Sequence, residues 1–303
     1  MDNKESRSDF GANAMLITAA IIWGAGFVAS QLALDAALSA SAIMLGRFAI
    51  AAVLIFLIFA KSILKNFKRS HLKGGIVIGV LLFTAFFVQT FGLIYSTPSN
   101  NAFLTATNVV MVPFLSWGIS KQKPKNIFFI APVLCLIGVG ILSIDPTGGF
   151  HIMPGDYLTL LCAFLFACQI TATGILAPKM DYRVLVFLQL LVAAICSFIA
   201  FMITDRNFSG FARLDGMLAL LFLGVLSTSA CYFLQTKAQV RVSSSTAAIL
   251  LSTECLFGSI FSVAFGYDRL TPMLVIGGAV IFISVTLPDV VGKISAKRSD
   301  LIQ

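Results

Sequence analysis

YFLQTKAQVRVSSSTAAILLSTECLFGSIFSVAFGYD, residues 232–268, is the stretch whose reading decides the fold. It is apolar enough to lie in a bilayer, yet it carries Glu254 near the middle of its second apolar segment. A charged side chain at that depth costs roughly 2.5 kcal/mol or more, so it is usually retained for a job. The stretch has a twin earlier in the chain, FFVQTFGLIYSTPSNNAFLTATNVVMVP, residues 86–113. There Phe-Phe-Val-Gln-Thr stands where the later copy has Tyr-Phe-Leu-Gln-Thr. In that register Gln89 matches Gln235 and Asn108 matches Glu254.

Composition sets the class. Only 11% of the residues are charged and 58% are hydrophobic, against about 25% charged in soluble domains. So few charges cannot cover a soluble globule of this length, and an all-α integral membrane protein is expected. The net charge of +8 does not point to nucleic acid, because the basic residues sit in short loops between apolar runs. That distribution is a membrane topology signal. The six cysteines (135, 162, 168, 196, 231 and 255) lie inside apolar segments without a Cys-x-x-Cys pair and read as small hydrophobes. The N-terminal stretch, residues 1–12, mixes acids with bases and reads as a retained cytoplasmic tail, not a signal peptide.

A helix needs about 20 apolar residues to cross the hydrocarbon core. Ten candidate spans lie near 13–34, 42–60, 74–95, 99–119, 126–144, 155–176, 183–203, 214–236, 243–265 and 272–291. Alternate loops carry the Lys and Arg residues: Lys61 to Lys73, Lys121 to Lys125, Lys179 and Arg183, Lys237 and Arg241, with the two tails. That side collects 17 basic residues, and the other has 3, Arg206, Arg213 and Arg269. The split places both termini in the cytoplasm of a cell whose inner membrane the chain crosses. Five spans are an odd number, so the second half enters the membrane in the opposite sense. Further echoes agree, such as RFAIAAV at 47 with QLLVAAI at 189. The chain therefore reads as two inverted five-helix repeats, 13–146 and 147–291, followed by a cytoplasmic tail, 292–303. Inverted repeats with a central binding site are a mark of secondary transporters.

Trp23-Gly24, Arg47-Phe48, NAFLTATNVVMVPFLSW at 101–117, Gly155-Asp156, Tyr232-x-x-Gln235 and STAAILLSTE at 245–254 together resemble the drug/metabolite transporter superfamily, EamA type. The resemblance runs over essentially the whole chain. It implies ten helices, two inverted repeats and alternating access around a central cavity. Members are similar to exporters of amino acids, other metabolites and drugs, and to nucleotide-sugar carriers. Relatives often carry Glu-Pro where this chain has Glu254-Cys255, which removes a proline-made bend from the ninth span, while Pro113 keeps one available in the fourth.

Polar residues inside spans are the candidate substrate site. Glu254 shares a helical stripe with Ala247, Leu250, Phe257, Gly258 and Phe261, whose small members would leave space beside the carboxyl group. It is also the candidate proton-coupling group. Asn101, Thr105 and Asn108 form a polar stripe on the fourth span, with interhelical bonding as the rival role. Thr228, Tyr232 and Gln235 share a face, as do Thr159, Phe166, Gln169 and Thr173, and Trp23, Gly26 and Ser30. Gln89 joins them as the repeat mate of Gln235. Tyr95 and Trp117, near span ends, read as interfacial anchors. Arg47 is read as snorkelling outward, as pairing with Asp35 or Asp156, or as a gate.

His71 and His151 stand alone in loops, so no metal site is expected. No Walker-type loop is present, so ATP-driven pumping has no support. No cofactor is implied, and one intramembrane carboxylate without His gives an enzyme little to work with. The substrate expectation is a neutral amino acid or a similar amine, exported by alternating access, with the lipid bilayer and protons as the other partners. The rivals are a scaffold without substrate and a carrier of lipophilic cationic drugs.

Overall fold

The computed structural model describes residues 2–120, 127–142, 152–204, 206, 209–284 and 287. The expected cytoplasmic tail at 292–303, Lys121 to Lys125 and His151 lie outside them. Among the described residues every long regular element is a helix. The first half holds α1 (Asp2–Asp35), α2 (Ala40–Asn66), α3 (His71–Leu93), α4 (Pro98–Ala106), α5 (Asn108–Ser120) and α6 (Ile127–Leu142). The second half holds α7 (Pro154–Leu176), α8 (Tyr182–Thr204), α9 (Leu214–Leu221), α10 (Cys231–Ala238), α11 (Ser244–Leu251), α12 (Glu254–Ala264) and α13 (Pro272–Ser284). A π-helical segment, Phe222–Ala230, joins α9 to α10 in one rod.

Start signals in the sequence explain where the helices begin. Ser39 Oγ accepts from the Ala42 amide at 3.2 Å, Thr97 Oγ1 from Asn100 at 3.3 Å, and Ser243 Oγ from Thr246 at 3.1 Å. Pro98 and Pro154 occupy first turns, where no amide is needed.

Among the described residues, eight helices are long and apolar enough to cross a membrane: Phe10–Asp35, Ala40–Asn66, His71–Leu93, Pro98–Ile119, Pro154–Lys179, Tyr182–Thr204, Leu214–Ala238 and Ser244–Ala264. The remaining expected spans, the fifth and the tenth, correspond to shorter helices. The 16 residues of α6 rise only about 24 Å at 1.5 Å per residue. Pro272–Ser284 is shorter still within the described residues. Leu57, Ile58, Phe198 and Ile203 stand on the outer surface, where hydrocarbon suits them better than water.

Side-chain contacts sort the helix ends into two groups. At one end Asn66 Nδ2 donates to Asp181 at 2.6 Å and Arg183 Nη1 to Ser62 at 2.9 Å. This end gathers Lys61, Lys65, Lys68, Arg69, Lys73, Lys179 and Arg183. At the opposite end Tyr267 donates to Asp35 at 2.7 Å, Ser96 to Asp156 at 2.7 Å, and the Ser99 amide to Asp268 at 3.0 Å. Burial, and then the bond to Asp35, push the Tyr267 hydroxyl's pKa upward.

Two crossings depend on glycine. A Cβ on Gly24 would meet Phe257 Cβ at 2.5 Å and the Gly258 amide nitrogen at 2.8 Å, so α1 and α12 touch backbone to backbone. Gly155 lies likewise against the Gly92 carbonyl, which closes α7 onto α3.

Two spans are broken, and the breaks fall at matching places. Thr107 separates α4 from α5, and Ser252-Thr253 separates α11 from α12. Asn108 and Glu254 are therefore each the first residue of a second half-helix. Pro113 makes neither break, since it sits inside α5 with helix on both sides. Hydroxyls stand at both instead. Thr107 Oγ1 donates to Leu104 O, Ser252 Oγ to Ile249 O and Thr253 Oγ1 to Leu250 O, each at 2.7 Å. Such back-bonding competes with the helical ladder and bends it.

Candidate functional site

The half-helix starts face a single central cavity. It is lined by Trp23, Gly26 and Phe27 of α1, Arg47 of α2, Phe86 and Gln89 of α3, and Asn108 of α5. Phe166, Gln169 and Ile170 of α7, Ser227 of the π segment, Tyr232 and Gln235 of α10, Leu251 of α11 and Glu254 of α12 complete it. Of the candidate substrate-binding residues, Trp23, Gln89, Asn108, Phe166, Gln169, Tyr232, Gln235 and Glu254 meet on one surface, together with the candidate gate Arg47. Asn101 is the exception. Its Nδ2 donates to Thr159 Oγ1 at 2.9 Å and to the Gln89 carbonyl at 3.2 Å, so it ties α4 to α7 and α3 beside the cavity.

The cavity offers about 40 Å³ to the centres of water molecules, space for a few waters. A wider depression of about 510 Å³, edged by Asp35, Leu38, Ser41, Phe87, Phe91 and Thr204, lies at the Asp35 end.

One wall is aromatic. Trp23 and Tyr232 have centroids 5.2 Å apart, and Phe86 meets Phe166 edge-on at 4.9 Å. The Trp23 indole N–H donates to the Ser227 carbonyl at 2.6 Å. That carbonyl belongs to the π-helical segment Phe222–Ala230.

Arg47 does not snorkel and pairs with neither Asp35 nor Asp156. It is 2% exposed and set inside the bundle. Nε donates to Thr228 Oγ1 at 3.0 Å and Nη2 to Ser227 Oγ at 3.4 Å. The guanidinium carbon lies 3.9 Å from the centroid of the Phe86 ring. The π segment, invisible to a 3.6-residue pattern, thus holds both Trp23 and Arg47.

Amide networks flank the cavity. Toward the basic end, Gln235 donates to Gln239 at 3.1 Å, Gln189 to Thr236 at 3.1 Å, and Gln169 to Thr173 at 3.1 Å. Toward the Asp35 end, Gln89 donates to Thr105 at 3.0 Å. Asn108 Oδ1 and Gln235 Oε1, both on the cavity wall, are buried without a hydrogen-bond partner.

One expectation about Glu254 is corrected. Gly258 does not open space beside it, because its open side is packed by Ala102, Phe27 and Gly24. The break at Ser252-Thr253 shifts the register, and Leu251 joins Glu254 at the cavity instead. Phe86, Ser227 and Leu251 are cavity residues that pattern reasoning passed over. Phe86 lay in plain view as the first residue of the earlier twin stretch.

A bundle of apolar helices around one polar, aromatic-walled cavity, with paired helix breaks at its centre, has the architecture of a multi-pass membrane carrier. The chain matches the EamA-like transporter family over residues 11–144 and 153–287, and it belongs to that family. The matched segments follow one another, which gives the two-repeat architecture. An uncharacterised transporter of Archaeoglobus fulgidus is 32% identical over 272 residues, covering 90% of this chain and 83% of the relative. Mouse solute carrier family 35 member F2 is 26% identical over 57% of this chain and 47% of its own length. The uncharacterised transporter YwfM of Bacillus subtilis is 25% identical over 56% and 57%. A protein of known crystal structure shares the fold at a TM-score of 0.72 and 15% identity, over 93% of this chain and 97% of its own.

Proposed function

We propose that the chain is a secondary active transporter that exports a neutral amino acid or similar amine-bearing metabolite across the inner membrane by alternating access. The observation that carries this reading is the convergence of Glu254, Asn108, Gln89, Gln169 and Gln235 with Trp23, Phe166 and Tyr232 on one cavity. A polar wall with unpartnered acceptors is poor packing and good recognition. A cavity of about 40 Å³ is too narrow for an amino acid, so substrate entry requires the helices around it to part. The half-helix junctions at Thr107 and Ser252-Thr253 are where such movement is easiest, and the amide networks on either side are the contacts that would open in turn. In this reading the two halves are inverted five-helix repeats, 13–146 and 147–291, and the basic end faces the cytoplasm.

Proton exchange enters through Glu254, which would be protonated in one conformation and ionised in another. A scaffold has no use for such a cavity. A carrier of lipophilic cations is disfavoured by Arg47 in the same wall. Purified protein in liposomes, loaded in parallel with radiolabelled amino acids and amines or with nucleotide sugars and sugar phosphates, tests the proposal. Release of one class, faster than from empty liposomes and responsive to a pH gradient, is expected. Release of nucleotide sugars or sugar phosphates without amino acids or amines would overturn it.

A further inference from the structure

The cavity contains two ionisable groups of opposite sign that do not meet. Arg47 and Glu254 both line it, yet no nitrogen of one lies within 4.0 Å of an oxygen of the other. A guanidinium carries five N–H donors. Two hydroxyls, of Thr228 and Ser227, take bonds from Nε and Nη2, and the face rests on Phe86. No carboxylate accepts from Arg47 among the described residues. At the other pole Glu254 is 7% exposed and has no hydrogen bond within the described residues. Also on the cavity wall, Asn108 Oδ1 and Gln235 Oε1 are buried acceptors with no hydrogen-bond partner among the described residues. An arginine and a carboxylate left apart inside a bundle are each costly, and bringing them together would relieve both. The fold instead holds Arg47 to the π segment and Glu254 to the start of α12.

We propose that Arg47 and Glu254 are the two poles of a zwitterion site: Arg47 binds the ligand's carboxylate, and Glu254 with Asn108 binds its ammonium group. This rests on the transport reading above and narrows it, from any amine-bearing metabolite to one that carries both charges. The fork of Arg47 suits a planar carboxylate, which it can meet with two parallel N–H donors. The acceptors around Glu254 suit an ammonium, which offers three donors and no acceptor. The aromatic side chains of the same cavity, Trp23, Phe166 and Tyr232, are left for the apolar body, which leaves the carbon that carries both charges to face the two poles. Arg47 is therefore a specificity residue and not only a gate.

Isothermal titration of the purified full-length protein tests the charges one at a time. The probes are phenylalanine, leucine and methionine, each as the free amino acid, as its amide without a carboxylate, and as its N-acetyl form without an ammonium group. For at least one side chain the free amino acid is expected to bind tenfold or more tightly than either derivative. Arg47→Gln should weaken the amino acid to the level of its amide while leaving the amide within twofold. Glu254→Gln should do the mirror, reducing the amino acid to the level of its N-acetyl form. Arg47→Lys, which keeps the charge, should retain part of the preference for the carboxylate. An amide that binds the unaltered protein as tightly as its amino acid overturns the bipolar site and leaves amine transport standing. Failure of all nine probes to bind overturns both readings. The comparison on the unaltered protein stands even where a variant fails to fold.

Discussion

Glu254 is a carboxyl group without a hydrogen-bonding partner among the described residues, on a cavity inside an apolar bundle. A structural carboxylate would be tied down, as Asp268 is by Ser99 and Ser262 and as Asp156 is by Ser96 and the Met153 amide. The free one is the group available to exchange a proton. Glu254→Gln keeps the shape and removes both the negative charge and the titration. The variant is expected to insert and fold with unaltered thermal stability and to lose the dependence of flux on a pH gradient. Unchanged pH-dependent flux in proteoliposomes would reject the coupling role. Trp23 makes a second residue-scale test. Its indole N–H satisfies the Ser227 carbonyl, and Trp23→Phe leaves that carbonyl bare at the cavity wall. A loss of about 1–3 kcal/mol follows from an unsatisfied buried acceptor, read as a lower melting temperature in detergent.

At the scale of elements, the α1–α12 crossing depends on two residues without side chains. Because a Cβ at Gly24 would overlap both Phe257 Cβ and the Gly258 backbone, Gly24→Ala must push the helices apart. Overpacking of this kind costs about 1–3 kcal/mol. Gly118, with nothing within 4 Å of its added Cβ, is the control. Gly118→Ala should be neutral or slightly stabilising, since alanine is the better helix former. Equal melting temperatures for the two variants would show that the crossing tolerates separation. The elements also explain what could be read in advance. The long spans were legible, because apolar length is a local signal. Most of the site was legible too, because amides and a carboxyl group inside apolar runs are few. What escaped was register. The π segment at Phe222–Ala230 and the break before Glu254 both depart from 3.6 residues per turn. Ser227 and Leu251 were missed for that reason, and Gly258 was wrongly given to the cavity. Arg47 was singled out as a possible gate, but its partners, two hydroxyls and a ring, escaped because they come from distant helices that sequence spacing does not join.

At the scale of the whole molecule, the contacts between helix ends fix which loops lie together, and the charges say which way they face. Lys61 to Lys73, with Lys179 and Arg183, share one end through the Asn66–Asp181 and Ser62–Arg183 bonds. Arg213 and Arg269 lie at the other, where Arg213 is neutralised by Asp215 at 2.6 Å. Positive charge is retained on the cytoplasmic side during insertion, so the basic end is expected inside the cell. In that expected orientation the wide depression near Asp35 would lie on the outer side and the glutamine network near Gln239 on the inner side. Two positions report on this without touching the cavity. Ser70 lies in the exposed loop at the basic end, and Leu270, 72% exposed, lies at the other. In intact cells a membrane-impermeant maleimide should label Leu270→Cys and spare Ser70→Cys. After permeabilisation both should react. Labelling of Ser70→Cys from outside, with Leu270→Cys protected, would invert the molecule in the membrane. It would also place the wide depression on the cytoplasmic face.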